Sequence, residues 1–502
     1  MLAREGHQGY LVGGFIRDWL LDRQTSDIDI AVSGDAIRAA REVARSVHGK
    51  FVLLDELNSI ARVVIPKGED RGYLPRTEAF RQAEWHLDFA PFSTNIGADL
   101  GRRDFTINAM AVELGRFASR AARSTGQVPS GENLIDPFSG EDDLKNGVIR
   151  AVGEQVFEAD AVRLLRGVRL AAELGFSIEP TTEQLIRRYC QSIIRIPGER
   201  IREELLRLLS LPRAAHYLRY LDELGLLVAL IPELADGKGV EQPTVHFWDV
   251  FDHSLQTVAA LEFLLRENEW ECGSKEMLDA VPWSDSLDQH FSQEVSKGSS
   301  RRPLLKLGGL LHDVAKPATR TIDDSGRARF LGHPKQGAAT VEAIMSRLRF
   351  SRQETSLVVS LVYHHMRPAQ MTNGALPTQR AIYRYFRDTK DAGIDILFLA
   401  LADHLATRGP LVRIGDFREQ CRLTDYVLAE HQKQEVKVSP PKLVDGHDLM
   451  NELGLGPGPL IGSLLALVCE AQASGELASR EEAVALAREE LTERQAIART
   501  GS

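Results

Sequence analysis

The sequence lacks any long hydrophobic run. Of its 502 residues, 43% are apolar and 26% are charged, but no uninterrupted apolar stretch reaches the roughly 18 residues that a membrane-spanning helix needs. The N-terminal sequence MLAREGHQGY contains no apolar core of a secretion signal. We therefore expect a globular protein with several hydrophobic cores and no membrane partner.

Cysteine is also scarce. The four cysteines, Cys190, Cys272, Cys421 and Cys469, lie far apart and form no CxxC pair. This pattern excludes a disulfide-rich secreted scaffold and predicts reduced thiols in a cytoplasmic protein.

Positive charge is in deficit overall, since the formal net charge is −10. By itself this argues weakly against a nucleic-acid partner. The segment from Lys145 to Tyr220 nevertheless carries an excess of Lys and Arg over Asp and Glu. Such a segment is compatible with RNA binding through phosphate contacts, and equally with an ordinary Arg-rich helical surface.

A diglycine separates a predicted strand from a predicted helix near the N-terminus. Tyr10–Val12 read as a short buried strand, Gly13 and Gly14 break it, and Phe15–Leu21 carry apolar residues at helical spacing. The first N–H groups of such a helix are unpaired and would point at an anion such as a triphosphate. Arg17 would add a charged fork to the same phosphates.

Acidic residues recur on the strands predicted next. Asp27–Val32 alternates so that Asp27 and Asp29 share one face, where Mg²⁺ ions would offset their charge. Asp88, in the strand HLDF, would supply a third catalytic carboxylate. The alternatives are a capped turn for the first pair and a surface Asp on an edge strand for Asp88.

The segment GRRDFTINAM follows these strands. Arg102 and Arg103 can hold triphosphate oxygens, and Asp104 and Asn108 can bond a ribose. Asp104 and Asn108 are four residues apart and would share a helix face. As chemistry alone the pattern is weak, because an arginine pair at a helix cap is ordinary.

Together these motifs carry a family resemblance. GGFIRDWLLDRQTSDIDIAV resembles the nucleotidyltransferase motif of the polymerase-β-like superfamily, and more narrowly that of tRNA CCA-adding enzymes and bacterial poly(A) polymerases. GRRDFTINAM is close to the family signature RRDFTINA, and PGERIREELLRLL matches its ERIxxEL motif. The resemblance implies template-independent addition of C or A, from CTP or ATP with Mg²⁺, to an RNA 3′ end, foremost that of tRNA.

The next segment, FEADAVRLLRGVRLAAELGF, is predicted to be one amphipathic helix over 157–176. Asp160 and Arg163 lie three residues apart, where they could form a surface salt bridge. The resemblance implies instead that they hold the base edges of CTP or ATP in place of a nucleic-acid template. The predicted nucleotide-binding set also includes Asp18 and Arg166.

Histidines dominate the second half. Their order, H then HD, H, HH and a late D, resembles the HD phosphohydrolase superfamily, which is all-helical. The predicted ligands of a divalent ion, Mg²⁺, Mn²⁺ or Ni²⁺, are His253, His312, Asp313, His333, His364 and Asp403. His246 and His404 are expected to be bystanders. The alternative is a structural metal site without hydrolytic activity.

The expected fold class is α+β. A polymerase-β-like head with a mixed sheet and helices (1–145) would precede an all-helical remainder. That remainder comprises a nucleotide- and RNA-binding neck (146–240), an HD domain (241–410) and a C-terminal region (411–502). A polar, partly mobile loop is predicted as an insertion at about 268–302.

Several functions remain open at this point. Within the family, the enzyme could add only A, only C, both, or a poly(A) tail. In another class, it could be a metal phosphohydrolase with an inactive head, or an RNA-binding protein without catalysis. The intact Asp27, Asp29 and Arg17 favour a nucleotidyltransferase.

Overall fold

The structure is a computed structural model. It describes residues 7–66, 84–92, 94–115, 133–243, 245–371, 376–436, 443–473 and 476–500, without the side chains of 434–436, 473 and 497–500. The chain divides into two compact units, residues 1–204 with 220–230 and residues 205–219 with 231–502. Within the described ranges, no helix has both the length and the apolarity that crossing a bilayer requires.

A mixed sheet forms the centre of the first unit. Its strands stand in the order β3-β4-β5-β2-β1-β6-β7. They are β1 (Gly9–Val12), β2 (Asp27–Val32), β3 (Lys50–Asp55), β4 (Ile60–Ile65), β5 (Trp85–Pro91), β6 (Ala111–Glu113) and β7 (Leu134–Ile135). The pair β2 and β5 is parallel, whereas the other neighbours are antiparallel. The expected mixed sheet is therefore confirmed.

Strand register places the acidic residues side by side. Asp29 of β2 lies opposite Asp88 of β5, and Asp88 lies opposite Arg62 of β4. Directly paired residues on one sheet face have neighbouring side chains. Because the β2 burial pattern runs from exposed at Asp27 to buried at Val32, the acidic end of this strand lies at the surface.

Short helices cover this sheet and continue beyond it. The described α-helices up to residue 230 are α1 (Gly14–Leu20), α2 (Ala36–Ser46), α3 (Ile96–Leu100), α4 (Gly140–Asn146), α5 (Val156–Ala159), α6 (Arg163–Leu174), α7 (Pro180–Tyr189), α8 (Gly198–Leu209), α9 (Ala214–Glu223) and α10 (Leu226–Leu230). Two further strands, β8 (Val148–Ile149) and β9 (Ser177–Ile178), pair in parallel. Tyr10, Val12 and Ala31 of the sheet pack with Phe92 and Leu100 in one core cluster.

The second unit is helical, as expected from the sequence. Its later helices are α11 (Val250–Leu264), α12 (Lys275–Ala280), α13 (Asp285–Ser292), α14 (Arg301–Leu311), α15 (His333–Arg347), α16 (Arg352–His364), α17 (Arg367–Gln370), α18 (Gln379–Thr389), α19 (Gly393–Arg408), α20 (Ile414–Val436), α21 (Gly446–Leu453), α22 (Pro459–Ala473) and α23 (Arg480–Thr500). Two hairpins interrupt them, β10 (Glu294–Ser296) with β11 (Ser299–Ser300) and β12 (Arg320–Ile322) with β13 (Ala328–Phe330).

The prediction of a loop at 268–302 is wrong. This segment folds into α12, α13 and the β10–β11 hairpin, and Trp270 and Phe291 in it are buried. Trp283 stacks on Phe291, and both rings contact Phe398 of α19. The two helices have only six and eight residues, too few to show an apolar period, so the sequence pattern missed them.

Candidate nucleotide and metal centres

Asp27 and Asp29 differ in their surroundings although they share a strand face. Asp27 is exposed, and its Oδ1 lies 3.0 Å from Nδ1 of His86. Burial raises the pKa of the Asp29 carboxyl, and the charges of Asp88 and Asp27 raise it further, against the lowering effect of Arg103. A cation bound beside Asp29 would relieve this repulsion, so the donor set fits a Mg²⁺ ion.

The carboxylate of Asp88 forms an ion pair with an arginine that the sequence interpretation missed. Arg62 donates Nε and Nη2 to the two carboxylate oxygens of Asp88, each over 2.7 Å. A fork of this kind is a strong, geometrically specific interaction. Asp27, Asp29 and Asp88 therefore do not converge on one point. Of the residues that the structure describes, only two groups bring three potential ligand atoms within 4.8 Å of one another, and both lie in the second unit.

Gly13 lies in close contact with the side chains around these carboxylates. Its φ of 73° lies in the left-handed region that favours glycine. A Cβ at this position would lie 2.6 Å from Nη1 of Arg103 and 2.8 Å from Oδ2 of Asp29. The diglycine turn thus lets the backbone approach both an arginine and a candidate metal ligand.

A polar network links the other motif residues of the head. Arg17 is buried, and it donates Nε and Nη2 to Asp18 and Nη1 to Asn108. Asn108 in turn donates to Asp104 over 3.0 Å. Arg17 therefore holds the two motifs together in this structure. Arg102 and Arg103 both pair with Asp99 of α3.

The network continues into the helices that follow the head. Arg166 of α6 donates to Asp104 and to Glu204 of α8, and Arg169 also pairs with Glu204. Burial works against ionisation of Asp104, but Arg166, Asn108 and the N–H of Phe105 lower the pKa of its carboxyl. Asp104 is therefore a charged residue whose contact with Arg166 fixes α6 to the motif.

Asp160 and Arg163 do not form the predicted pair. The helix predicted over 157–176 breaks after Ala159, where Asp160 adopts an extended backbone with φ of −159°. Asp160 accepts a fork from Arg200, over 3.0 and 2.6 Å, while Arg163 donates Nη2 to the carbonyl oxygen of Arg102. The sequence periodicity concealed this break because apolar positions on both sides stay in phase.

The histidines of the second unit gather at the ends of helices. His253 lies in the first turn of α11, His312 follows α14, His333 begins α15 and His365 follows α16. Nε2 of His253 lies 3.2 Å from Nε2 of His312, and Nε2 of His333 lies 3.2 Å from Nε2 of His365. The two ligand groups are His253 with His312 and Asp403, and Asp313 with His333 and His365.

Backbone carbonyls fix the tautomer of three of these rings. Nδ1 of His312, His333 and His365 lies 2.7 to 2.8 Å from the carbonyl oxygens of Gly309, Phe330 and Val362 respectively. A carbonyl only accepts, so each Nδ1 carries a proton and each Nε2 faces the cluster, where it can bind a cation when it is not protonated. Histidine ligands of metals are oriented in this way.

Asp313 lies between the two ligand groups. Its Oδ2 is 3.1 Å from His312 and 2.6 Å from Lys316, and its Oδ1 is 3.4 Å from His333. Although burial opposes ionisation, His312 and Lys316 hold the pKa of Asp313 well below its usual range. Both oxygens are buried without a hydrogen-bond donor of good geometry in the described part of the chain. Such orphaned acceptors fit a site for divalent cations.

Protonation within the cluster is uneven. Burial lowers the pKa of His253, His333 and His365, the last to about 4. Against the effect of burial, Asp313 and Asp403 raise the pKa of His312 to about 10. A bound cation would compete with this one proton, as metal ligands must be deprotonated.

The predicted ligand His364 is replaced by its neighbour. His365 is 3% exposed and contributes to the cluster, whereas His364 lies half-buried against Tyr363 outside it. Adjacent residues at a helix end differ by about 100° in direction, so only one of them can face the cluster. His365 follows the apolar residues Val358, Leu361 and Val362 at helical spacing. This pattern in the sequence could have indicated that His365, and not His364, faces the interior.

Three domain models match the chain. The poly A polymerase head domain matches residues 9–150, the probable RNA and SrmB-binding site of polymerase A matches 175–238, and the HD domain matches 250–408.

Curated relatives match over nearly the whole length. The A-adding tRNA nucleotidyltransferase of Deinococcus radiodurans is 34% identical over 94% of this chain and 93% of its own. The CC-adding tRNA nucleotidyltransferase of Thermus thermophilus is 32% identical over 94% and 91%. A solved CCA-adding enzyme in complex with ATP is 21% identical, covers 98% of this chain and 93% of its own, and shares the fold with a TM-score of 0.60. The chain therefore belongs to the tRNA nucleotidyltransferase family and is a nucleotidyltransferase whose sequence continues from the head into an HD domain.

Proposed function

We propose that this enzyme adds C, A or both to the 3′ end of a tRNA from CTP and ATP without a nucleic-acid template. The observation that carries the proposal is the single polar network that joins Arg17, Asn108, Asp104 and Arg166 beside the carboxylates of β2. Full-length similarity to A-adding and CC-adding tRNA nucleotidyltransferases supports tRNA as the substrate.

The reaction is phosphoryl transfer. The 3′-oxygen of the RNA forms a bond to the α-phosphorus, the bond between the α- and β-phosphates breaks, pyrophosphate leaves and the hydroxyl proton passes to solvent. Such chemistry needs mainly positioning and charge neutralisation. We assign Mg²⁺ to Asp27 and Asp29, where it would neutralise the triphosphate and activate the 3′-hydroxyl.

Residues around the carboxylates would position the nucleotide. The backbone at Gly13 and Gly14 admits the triphosphate, and Arg102 and Arg103 supply guanidinium groups beside it. Asp18 orients Arg17, and Asp104 with Asn108 presents oxygen and amide groups to the ribose. Asp160 and Arg163, at the start of α6, would read the base edge, with Arg200 and the Arg102 carbonyl oxygen orienting them.

Stepwise acceptors test this proposal. Three tRNA transcripts, ending before the CCA sequence, after its first C and after its second C, are each incubated with one nucleoside triphosphate. Incorporation of A only on the last transcript identifies an A-adding enzyme, and incorporation of C only on the first two identifies a CC-adding enzyme. Both activities identify complete CCA addition, and many consecutive A residues identify poly(A) synthesis. Absence of all four activities would refute the proposal.

We further propose that the second unit hydrolyses phosphate esters at RNA ends. The supporting observation is the pair of ligand groups that meet at Asp313. Two ions held there, each Mg²⁺, Mn²⁺ or Ni²⁺, would polarise a phosphate and lower the pKa of a water molecule. Water adds to phosphorus as the ester P–O bond breaks, and removal of a terminal phosphate would free the 3′-hydroxyl that the head extends.

Hydrolysis of a 2′,3′-cyclic nucleotide with each metal in turn tests this second activity. Turnover should disappear in the variant that combines His312→Ala with Asp313→Ala. Equal turnover in that variant and the unchanged protein would leave the cluster with a structural role only.

The sequence boundaries of four segments stay predictions: head 1–145, neck 146–240, HD domain 241–410 and C-terminal region 411–502.

Cysteine usage supports a cytoplasmic location for the enzyme, because Cys190, Cys272, Cys421 and Cys469 are all free thiols.

A further inference from the structure

A cavity lies in the HD unit, on the outer side of α16. It has a volume of about 710 Å³ and is bounded by α15, α16 and the turn that follows α18. A volume of this size is typical of small-molecule sites. His365, which continues α16, belongs to the metal cluster, whereas His364 lines this cavity. The cavity is therefore separate from the ligand groups described above.

One face of α16 supplies hydroxyl groups to the cavity. Thr355, Ser356 and Ser360 line it at helical spacing, and Ser346 of α15 joins them. The opposite face is apolar and buried, with Leu357, Val358 and Leu361 in the core. Short hydroxyl side chains leave the cavity open and offer both donors and acceptors to a polar ligand.

The free charges that line the cavity are mainly positive. Its carboxylates Asp388 and Asp391 are paired, the first with Arg367 over 2.6 Å and the second with Arg301 over 3.0 Å. Arg352 and Lys390 line the same cavity and have no ion pair within the described ranges. Glu342 is the remaining acid of the lining. An anion would thus meet two cations that form no ion pair in the described part of the chain, against the one carboxylate of Glu342.

Neither cation is placed there for local stability. Arg352 occupies the first position of α16, where a positive charge opposes the helix dipole. Lys390 adopts φ of 52° and ψ of −130°, a backbone conformation that residues other than glycine rarely adopt. Strained residues of this kind concentrate at binding sites, where the surrounding fold holds them in place.

An aromatic ring completes the lining. Tyr363 is 48% exposed, and its edge-to-face contact with His364 holds the ring at 4.7 Å between centroids. Exposed aromatic rings beside cations are the common platform for unpaired nucleobases. We propose that the cavity binds one ribonucleotide unit, with its phosphate at Arg352 and Lys390, its sugar along the hydroxyl face and its base on Tyr363. The unit could belong to a free nucleotide or to an unstacked residue of an RNA strand.

Photocrosslinking of the full-length protein tests the site locally. A hexaribonucleotide of 4-thiouridine is irradiated with the protein, and the adducts are mapped by mass spectrometry. The adduct is expected on the peptide that contains Tyr363. The variant combining Arg352→Gln with Lys390→Gln should weaken oligonucleotide binding at least about tenfold, the effect of losing charge-assisted hydrogen bonds. The salt dependence of binding should also fall, by about 0.7 in slope for the one phosphate contact that is lost.

Lys275→Gln is the matched control, since Lys275 is an exposed lysine of α12 outside the cavity. It should retain the Tyr363 adduct and the affinity. Loss of the adduct in the presence of uridine monophosphate would identify a free nucleotide as a sufficient ligand, and its persistence would identify the strand. Adducts confined to other peptides, or an unchanged Tyr363 adduct in the double variant, would overturn the proposal.

Discussion

The two candidate metal centres of this chain differ in what offsets their negative charge. In the head, protein cations approach the carboxylates, as Arg62 does at Asp88 and as Arg103 does at Asp29. In the HD unit, imidazole rings from four helix ends surround Asp313, and Lys316 is the cation that contacts it. The first arrangement stays partly exposed, whereas the second is buried and close-packed.

The same difference indicates which centre holds its ligand groups close together through contacts within the protein. Carboxylates on neighbouring strands repel one another, and in this structure Asp27 contacts His86 while Asp88 contacts Arg62. In the HD centre, burial lowers the pKa of His253, His333 and His365 and so favours their uncharged form. Backbone carbonyl oxygens already orient the rings of His312, His333 and His365. We therefore expect the HD centre to bind a metal without substrate and the head to bind one mainly with its nucleotide.

The largest expected effect concerns Asp29. Asp29→Asn should lower nucleotide incorporation by at least about a hundredfold, the cost of losing one electrostatic contact in phosphoryl transfer. The melting temperature should stay equal or rise, since the raised pKa of Asp29 means that its charge destabilises the fold at neutral pH. Incorporation assays and thermal unfolding on one preparation check both points. A variant that melts lower and still incorporates would contradict this role.

The second comparison separates two adjacent histidines. His365→Ala should remove most of the metal from the HD unit, with affinity reduced by at least about tenfold. His364→Ala is the matched control and should keep metal content unchanged, because its ring lies outside the cluster. Elemental analysis of the purified variants measures this. The reverse outcome would restore the assignment made from the sequence.

Base reading by Asp160 and Arg163 gives a smaller expected effect. Asp160→Ala or Arg163→Ala should change the ratio of CTP to ATP use by up to about tenfold, the range for one hydrogen bond, with RNA affinity preserved. The physical reason is that unpaired polar groups reject the wrong base. Competition among the four triphosphates on one tRNA acceptor measures the ratio. Unchanged ratios in both variants would assign these residues to structure alone.

The smallest effect is expected at Arg62. Arg62→Gln frees Asp88 and should tighten Mn²⁺ binding to the head by about threefold, the scale of a partly exposed ion pair. Electron paramagnetic resonance titration of Mn²⁺ in a His312→Ala, Asp313→Ala background reports the head alone. Weaker or equal binding would mean that Arg62 does not compete with a cation for Asp88.

Much of the fold was predictable because its signals are local. The strand at Asp27–Val32 follows from alternation, and the turn at Gly13 follows from the conformational freedom of glycine. The helix break at Asp160 was not predictable, because a long-range fork from Arg200 stabilises it. The two short helices in 268–302 depend on aromatic contacts with Phe398, which no local pattern contains.

The site shows the same division between local and long-range information. The order of histidines indicates a metal centre, but choosing between His364 and His365 needs the direction in which α16 packs. Asp88 was placed correctly beside Asp29, whereas Arg62 appears only through the pairing of β4 with β5. The sequence therefore shows which residues belong to a motif. It does not show which other residues contact them in the folded protein.

We propose that one chain carries two independent centres for phosphate chemistry. The most direct test measures tRNA nucleotide addition and 2′,3′-cyclic nucleotide hydrolysis on the same preparations of Asp29→Asn and of the His312→Ala, Asp313→Ala variant. We predict that the first variant loses addition and keeps hydrolysis, and that the second loses hydrolysis and keeps addition. Loss of both activities in either correctly folded variant would contradict the independence of the two centres.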